Sequence, residues 1–92
     1  MITPTFRKIY RGNSGEILFL INAVPYAKFY QVQYAALQDD VPGPWTVVDV
    51  PSVKSAFKIS GLTPITQYVF QVQAVGPVNQ SDWSSSRKIV CA

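Results

Sequence analysis

An all-β sandwich is the fold class this sequence predicts, and three observations predict it. Apolar residues recur at every second position in several short stretches, the spacing that turns one face of a strand toward a core. Turn-forming residues interrupt those stretches roughly every ten positions, a rhythm of short antiparallel strands. Nowhere do apolar residues repeat with the three-to-four spacing of an amphipathic helix. The 92 residues make one domain, residues 1–92, with room for a single modest core.

Taken in order, residues 3–10 read as a first edge strand. Pro4 suits a strand that need not donate to a ladder, and Arg7 and Lys8 discourage pairing with a foreign edge. Arg11-Gly12-Asn13-Ser14-Gly15 is a turn; Asn13 stands where an Arg-Gly-Asp motif needs aspartate, so integrin recognition has no support. Residues 16–22 form the second strand. Its Leu18 and Leu20 are apolar on the face expected to point outward, and a strand apolar on both faces is normally covered on both.

Residues 23–28 are a loop, and residues 29–37 the third strand, with Tyr30, Val32 and Tyr34 inward and Gln31 and Gln33 outward. Residues 38–44 are a turn-rich connector. Residues 45–50 are a short fourth strand ending at Pro51, and residues 54–60 a fifth with Phe57 and Ile59 inward. Gly61-Leu62-Thr63-Pro64 is a corner, since glycine allows unusual backbone angles and proline cannot donate. The long strand that follows places Tyr68, Phe70, Val72 and Ala74 on one face. Gln67, Gln71 and Gln73 take the other, with Val69 the exception. Residues 76–82 are a loop and residues 83–92 the last strand, making seven in all.

Leu62 followed six residues later by Tyr68, the Tyr30–Tyr34 strand, and Ser81-Asp82-Trp83-Ser84 together resemble the fibronectin type III family over about residues 4–91. The resemblance implies a seven-stranded immunoglobulin-like β-sandwich in which the Tyr68 hydroxyl bonds back to the corner backbone. It also implies that the loops 23–28, 51–54 and 76–82 gather at one pole. Two departures stand out. Ile21 occupies the place of an inward tryptophan, and Gln71 and Gln73 stand where receptor relatives carry arginines that stack on the tryptophan of their Trp-Ser motif. The SDWSSSRKIVCA terminus resembles the bacterial branch.

Composition narrows the function. Hydrophobic residues are 48% and charged residues 14%, against a usual ~25% charged, so glutamine, serine and threonine cover much of the surface. The net charge is +3 and the pI near 9.2, but the cations are scattered, and nucleic-acid binding needs a dense basic stripe. There is no histidine, which removes the commonest general base and metal ligand. The acids are Glu16, Asp39, Asp40, Asp49 and Asp82. A lone Asp39-Asp40 pair falls short of the six or more oxygens that calcium takes, and no glycine-rich phosphate loop occurs. We therefore expect no enzyme, no metal and no cofactor. Cys91 is the single cysteine, so no internal disulfide forms, and it reads as a small apolar strand residue. No signal peptide is visible, and the longest apolar run, residues 17–21, is too short to span a bilayer.

Three surface features remain. Leu18 and Leu20, with Val69 on the other sheet, are candidate contacts for a neighbouring domain or a second copy. Tyr26, Val78 and Asn79 are the candidate contacts of the loop pole. Asn79-Gln80-Ser81 is a glycosylation sequon, meaningful in a eukaryotic secreted protein. Trp45 and Trp83 each open a strand and are expected to cover the rim of the core rather than stack on sugar rings. The reading is a non-catalytic protein-interaction or spacer module of a larger bacterial or phage-type protein, its partner a protein and neither nucleic acid nor membrane. The alternatives are a ligand-binding domain of a eukaryotic receptor or adhesion protein and a carbohydrate-binding accessory domain of a secreted glycosidase. The resemblance favours an extracellular, cell-surface or virion location.

Overall fold

Alternation in the chain becomes two layers in space. The computed structural model describes residues 1–92, which form eight strands and no helix. These are β1 (Phe6–Arg11), β2 (Ile17–Ile21), β3 (Phe29–Gln38), β4 (Val41–Pro42), β5 (Thr46–Val50), β6 (Phe57–Ile59), β7 (Gln67–Val75) and β8 (Arg87–Val90). A three-stranded sheet runs β1-β2-β6; a five-stranded sheet runs β4-β3-β7-β8, with β5 also pairing β3. All pairings are antiparallel. Ile17, Phe19 and Ile21 of β2 face Tyr30 and Val32 of β3 and Tyr68, Phe70, Val72 and Ala74 of β7 in one core cluster, which Phe6, Val50, Ile59 and Cys91 complete. Burying such a set removes on the order of 2 kcal/mol of apolar exposure per large side chain. Ile21 fills the position that the resemblance gives to an inward tryptophan.

Two tyrosine hydroxyls fasten loops to this core. Thr63 N donates to Tyr68 Oη at 2.9 Å, closing the corner where Gly61 takes φ +75, and Val24 N donates to Tyr30 Oη at 2.9 Å. The first is the expected corner bond; the second is its counterpart at the other end of the sandwich. Because the Thr63 amide has no other partner than this hydroxyl, Tyr68→Phe should lower stability by about 1–3 kcal/mol. Urea unfolding with an unchanged m-value checks it, and a loss below about 0.5 kcal/mol would show that water replaces the hydroxyl at no cost.

Several boundaries differ from expectation. The first strand begins at Phe6 rather than at residue 3, and the last covers Arg87–Val90 rather than residues 83–92. The 38–44 connector contains a hairpin. Leu37 pairs Pro42 and Gln38 pairs Val41 around Asp39 and Asp40, whose φ values of 53 and 61 are those of a two-residue turn with both central residues left-handed. Cys91 lies just past β8, buried in the core, with its N–H given to Thr66 O at 2.9 Å. That burial withholds its thiol from intermolecular cross-linking.

Val69 is a correction. It was expected to lie exposed on the outer face, but it is buried. Its cross-strand neighbours are Ala35 and Lys88, and Lys88 Nζ reaches Asp40 Oδ1 at 3.6 Å. Asp40 follows β3 and Lys88 sits on β8, so the ion pair spans the intervening β7 at Val69 and lays the lysine stem across it.

Candidate functional site

Register decides which loops meet. Phe29, the first residue of β3, pairs with Val75, the last of β7, while Tyr30 pairs with Val50, the last of β5. Segments 22–28, 51–56 and 76–86 therefore leave the large sheet at one end. Lys28 N donates to Val75 O at 2.8 Å, and Gly76 N donates to Asn79 O at 2.8 Å, which folds Pro77 and Val78 into a tight tip. A Cβ on Gly76 would lie 3.1 Å from the Tyr26 carbonyl. At that distance a side chain would push the loops apart by a few tenths of an ångström, so glycine favours the close approach.

Tyr26 itself sits at φ 67, a conformation that costs a bulky residue on the order of 1–2 kcal/mol. Its side chain nevertheless stands in solvent, 89% exposed, as does that of Val78 at 93%. Met1, Ile2, Pro25, Tyr26, Pro77, Val78 and Asn79 line an open groove of ≈ 540 Å³ between the two loops. No side chain among them is charged, so the side chains offer apolar contact, one phenol and one amide. The structure thus places Tyr26, Val78 and Asn79 side by side. The loop after Pro51 takes no part: Ser52 Oγ accepts from Lys54 N at 3.2 Å, and Val53 packs on the core.

Leu18 and Leu20 lie on the opposite sheet. Both are half-buried. Directly opposite them, and hence on the same face, are Tyr10 and Lys58 beside Leu18, and Lys8 beside Leu20. Lys8 Nζ stands 4.8 Å from the Tyr10 ring centre, and Lys58 bonds Glu16 at 3.4 Å. The leucines thus carry a collar of long polar side chains rather than forming a bare patch.

Trp45 is 40% exposed and outside the core, which corrects the expectation that it covers the rim. Trp83 is half-buried, also outside the core, and precedes β8 instead of opening it. The acids are dispersed: Asp49 accepts from Gln31 Nε2 at 3.1 Å, Asp40 pairs with Lys88, and Glu16 with Lys58. No three metal-ligating side chains of His, Cys, Asp or Glu type come together, and no helix is long and apolar enough to cross a membrane.

Sequence reasoning missed two polar arrangements. On the outer face of the large sheet, Gln73 donates to Gln31 at 2.7 Å and Gln31 on to Asp49. One rung away Gln33 donates to Gln71 at 2.6 Å and Gln71 to Ser86 at 3.2 Å. The glutamines expected to face water alone form two hydrogen-bonded rows, one of them burying Gln73. Beside them, buried Ser84 and Ser81 accept from Val72 N at 3.0 Å and Ala74 N at 2.9 Å. The serine spacing in Ser81-Asp82-Trp83-Ser84 was the available signal.

Comparison with known proteins follows the same lines. The family model of the fibronectin type III domain matches residues 22–90, three quarters of the chain. No curated protein sequence matches it. Among solved structures, the chain is similar to the FN5 domain of Drosophila Lar, with a TM-score of 0.73 and 24% identity over 91% of this chain and 88% of that one. It is likewise similar to an fn3 domain of human contactin 1, with a TM-score of 0.80 and 22% identity over 99% and 77%. An fn3 domain of the human collagen alpha-1(XX) chain gives 0.81 and 19% over 99% and 85%. At these identities the likeness is one of fold.

Proposed function

The chain belongs to the fibronectin type III family, and from that premise we propose that it is a non-catalytic protein-interaction or spacer module of a larger protein. The SDWSSSRKIVCA terminus, with no arginines stacked on Trp83, favours a bacterial or phage-type parent. Recognition runs through the loop pole, by Tyr26, Val78 and Asn79. One observation carries this reading: Tyr26 holds a strained left-handed backbone while its ring packs on nothing. Ile65 shares the left-handed backbone (φ 58) and the exposure (88%) at the opposite end but lines no groove. At Tyr26 the strain coincides with one, which supports a side chain kept for contact. Tyrosine also supplies a rigid contact surface at low entropy cost.

The test is chemical-shift mapping of the labelled domain against the neighbouring segments of its parent polypeptide. Shifts should centre on Tyr26, Val78 and Asn79, and Tyr26→Ala should weaken binding more than tenfold, as loss of an anchor residue does. Shifts confined to the Leu18 and Leu20 face would move the site to the other sheet. Binding indifferent to Tyr26→Ala would discard the pole.

A further inference from the structure

Strand edges end each sheet, and they are not defended alike. An edge leaves backbone N–H and C=O groups unpaired, and proteins guard it with cations, prolines, irregular register or brevity. β1 carries Arg7, Lys8 and Arg11, and its register slips between Phe6 and Lys8. β8 carries Arg87 and Lys88 in four residues. β6 has three residues with Lys58 at the centre. β5 has none of these devices. Thr46–Val50 holds an unbroken register against β3, and the prolines nearby, Pro44 and Pro51, lie outside it. Its one charge, Asp49, is tied to Gln31. The same edge collects exposed apolar side chains: Trp45 at 40%, Val47 at 50% and, on the adjoining β4, Val41 at 64%.

We propose that β5 pairs antiparallel with β5 of a second copy of this chain, joining two five-stranded sheets into one. Charge selects this occupant. Five of the eight cations, Arg7, Lys8, Arg11, Arg87 and Lys88, line the β1 and β8 edges, so contact between copies there opposes like charges. Pairing through β5 carries those cations to the two far ends. The exposed apolar residues select the register. With Val47 on the two-fold axis, Val47 meets its own copy, and Trp45 lies opposite Asp49 of the second copy, whose carboxylate can accept the indole N–H. Five paired residues span about 17 Å, a contact below the ~1,200 Å² of stable complexes, so the dimer is weak and concentration-dependent. This surface shares no residue with the loop-pole groove.

Sedimentation velocity of the intact chain from about 10 μM to about 1 mM covers that affinity range. The mean mass should rise toward the dimer, and amides of Thr46–Val50 should exchange more slowly at the higher concentration. Val47→Lys, at an exposed position, should leave circular dichroism and melting unchanged and abolish the mass increase, while Lys8→Glu on β1 should not reduce it. A chain monomeric throughout overturns the proposal, as does a dimer that survives Val47→Lys. Protection that appears over Thr46–Val50 only when a foreign extended peptide is added would assign the edge to another partner and overturn self-pairing.

Discussion

Phe19→Ala is expected to lower unfolding stability by about 3–5 kcal/mol, the range for emptying a buried aromatic site. For a domain whose whole stability falls near 5–15 kcal/mol, that is about a fifth or more of the total. The reason lies in what Phe19 joins. Its ring is buried, at 5.4 Å edge-on to Phe6, 5.6 Å stacked with Phe57, and 6.2 Å from Phe70. Phe70 in turn stacks on Tyr34 at 5.5 Å, and Tyr34 meets Tyr68 edge-on at 6.5 Å. Phe6, Phe19 and Phe57 belong to the small sheet and the others to the large one, so the Phe19–Phe70 contact is where one aromatic chain crosses the sandwich. With isoleucine at position 21, no tryptophan fills the gap. Neighbouring rings cannot close a cavity whose walls are two hydrogen-bonded sheets. Chemical denaturation is the measurement, with Phe19→Leu expected to cost clearly less. A loss under about 1 kcal/mol for Phe19→Ala would mean that the sheets close on the void and that the crossing lies elsewhere.

What could be read from the chain, and what could not, divides along the same physical line. The inward faces of β2, β3 and β7 were legible because a buried face imposes a period of two on its own strand. Tyr68 and its corner were legible through the family resemblance, since the bond closes within six residues. Val69 and Gln73 were not, because their burial comes from other strands: the Lys88–Asp40 pair covers one, and the Gln31 row adjoins the other. The hairpin around Asp39 and Asp40 was read only as a turn-rich connector, because hairpins with two left-handed residues usually advertise themselves with glycine. At the candidate site, Tyr26, Val78 and Asn79 were named from the sequence, but the groove between them depends on the Gly76 approach to the Tyr26 carbonyl. No local pattern specifies that approach. The bare β5 edge was equally hidden, because an edge is undefended only relative to the other edges, and that comparison needs the strand order.

Ser81 and Ser84 carry the second large effect, through a debt left by the short last strand. β8 pairs with β7 only from Gln67 to Phe70, yet β7 continues to Val75, and its buried Val72 and Ala74 need partners for their N–H groups. The serines supply them. Ser84 takes the Val72 N–H on its hydroxyl and returns its own N–H to Val72 O at 2.8 Å; Ser81 does the same with Ala74, its N–H reaching Ala74 O at 2.9 Å. Each serine thus imitates a strand residue, with the side chain serving as the carbonyl. Each alanine substitution strands one buried amide at about 1–3 kcal/mol, so Ser81→Ala with Ser84→Ala should cost about 2–6 kcal/mol. Exposed Ser85→Ala should change stability by less than about 0.5 kcal/mol. Hydrogen exchange makes the expectation local: amides of Val72 and Ala74 should speed up in the double variant by more than that of Phe70, which keeps its β8 neighbour. Uniform acceleration across β7 would mean that the serines hold the whole sandwich rather than its open edge, and a stability unchanged by both substitutions would show that water pairs these amides unaided.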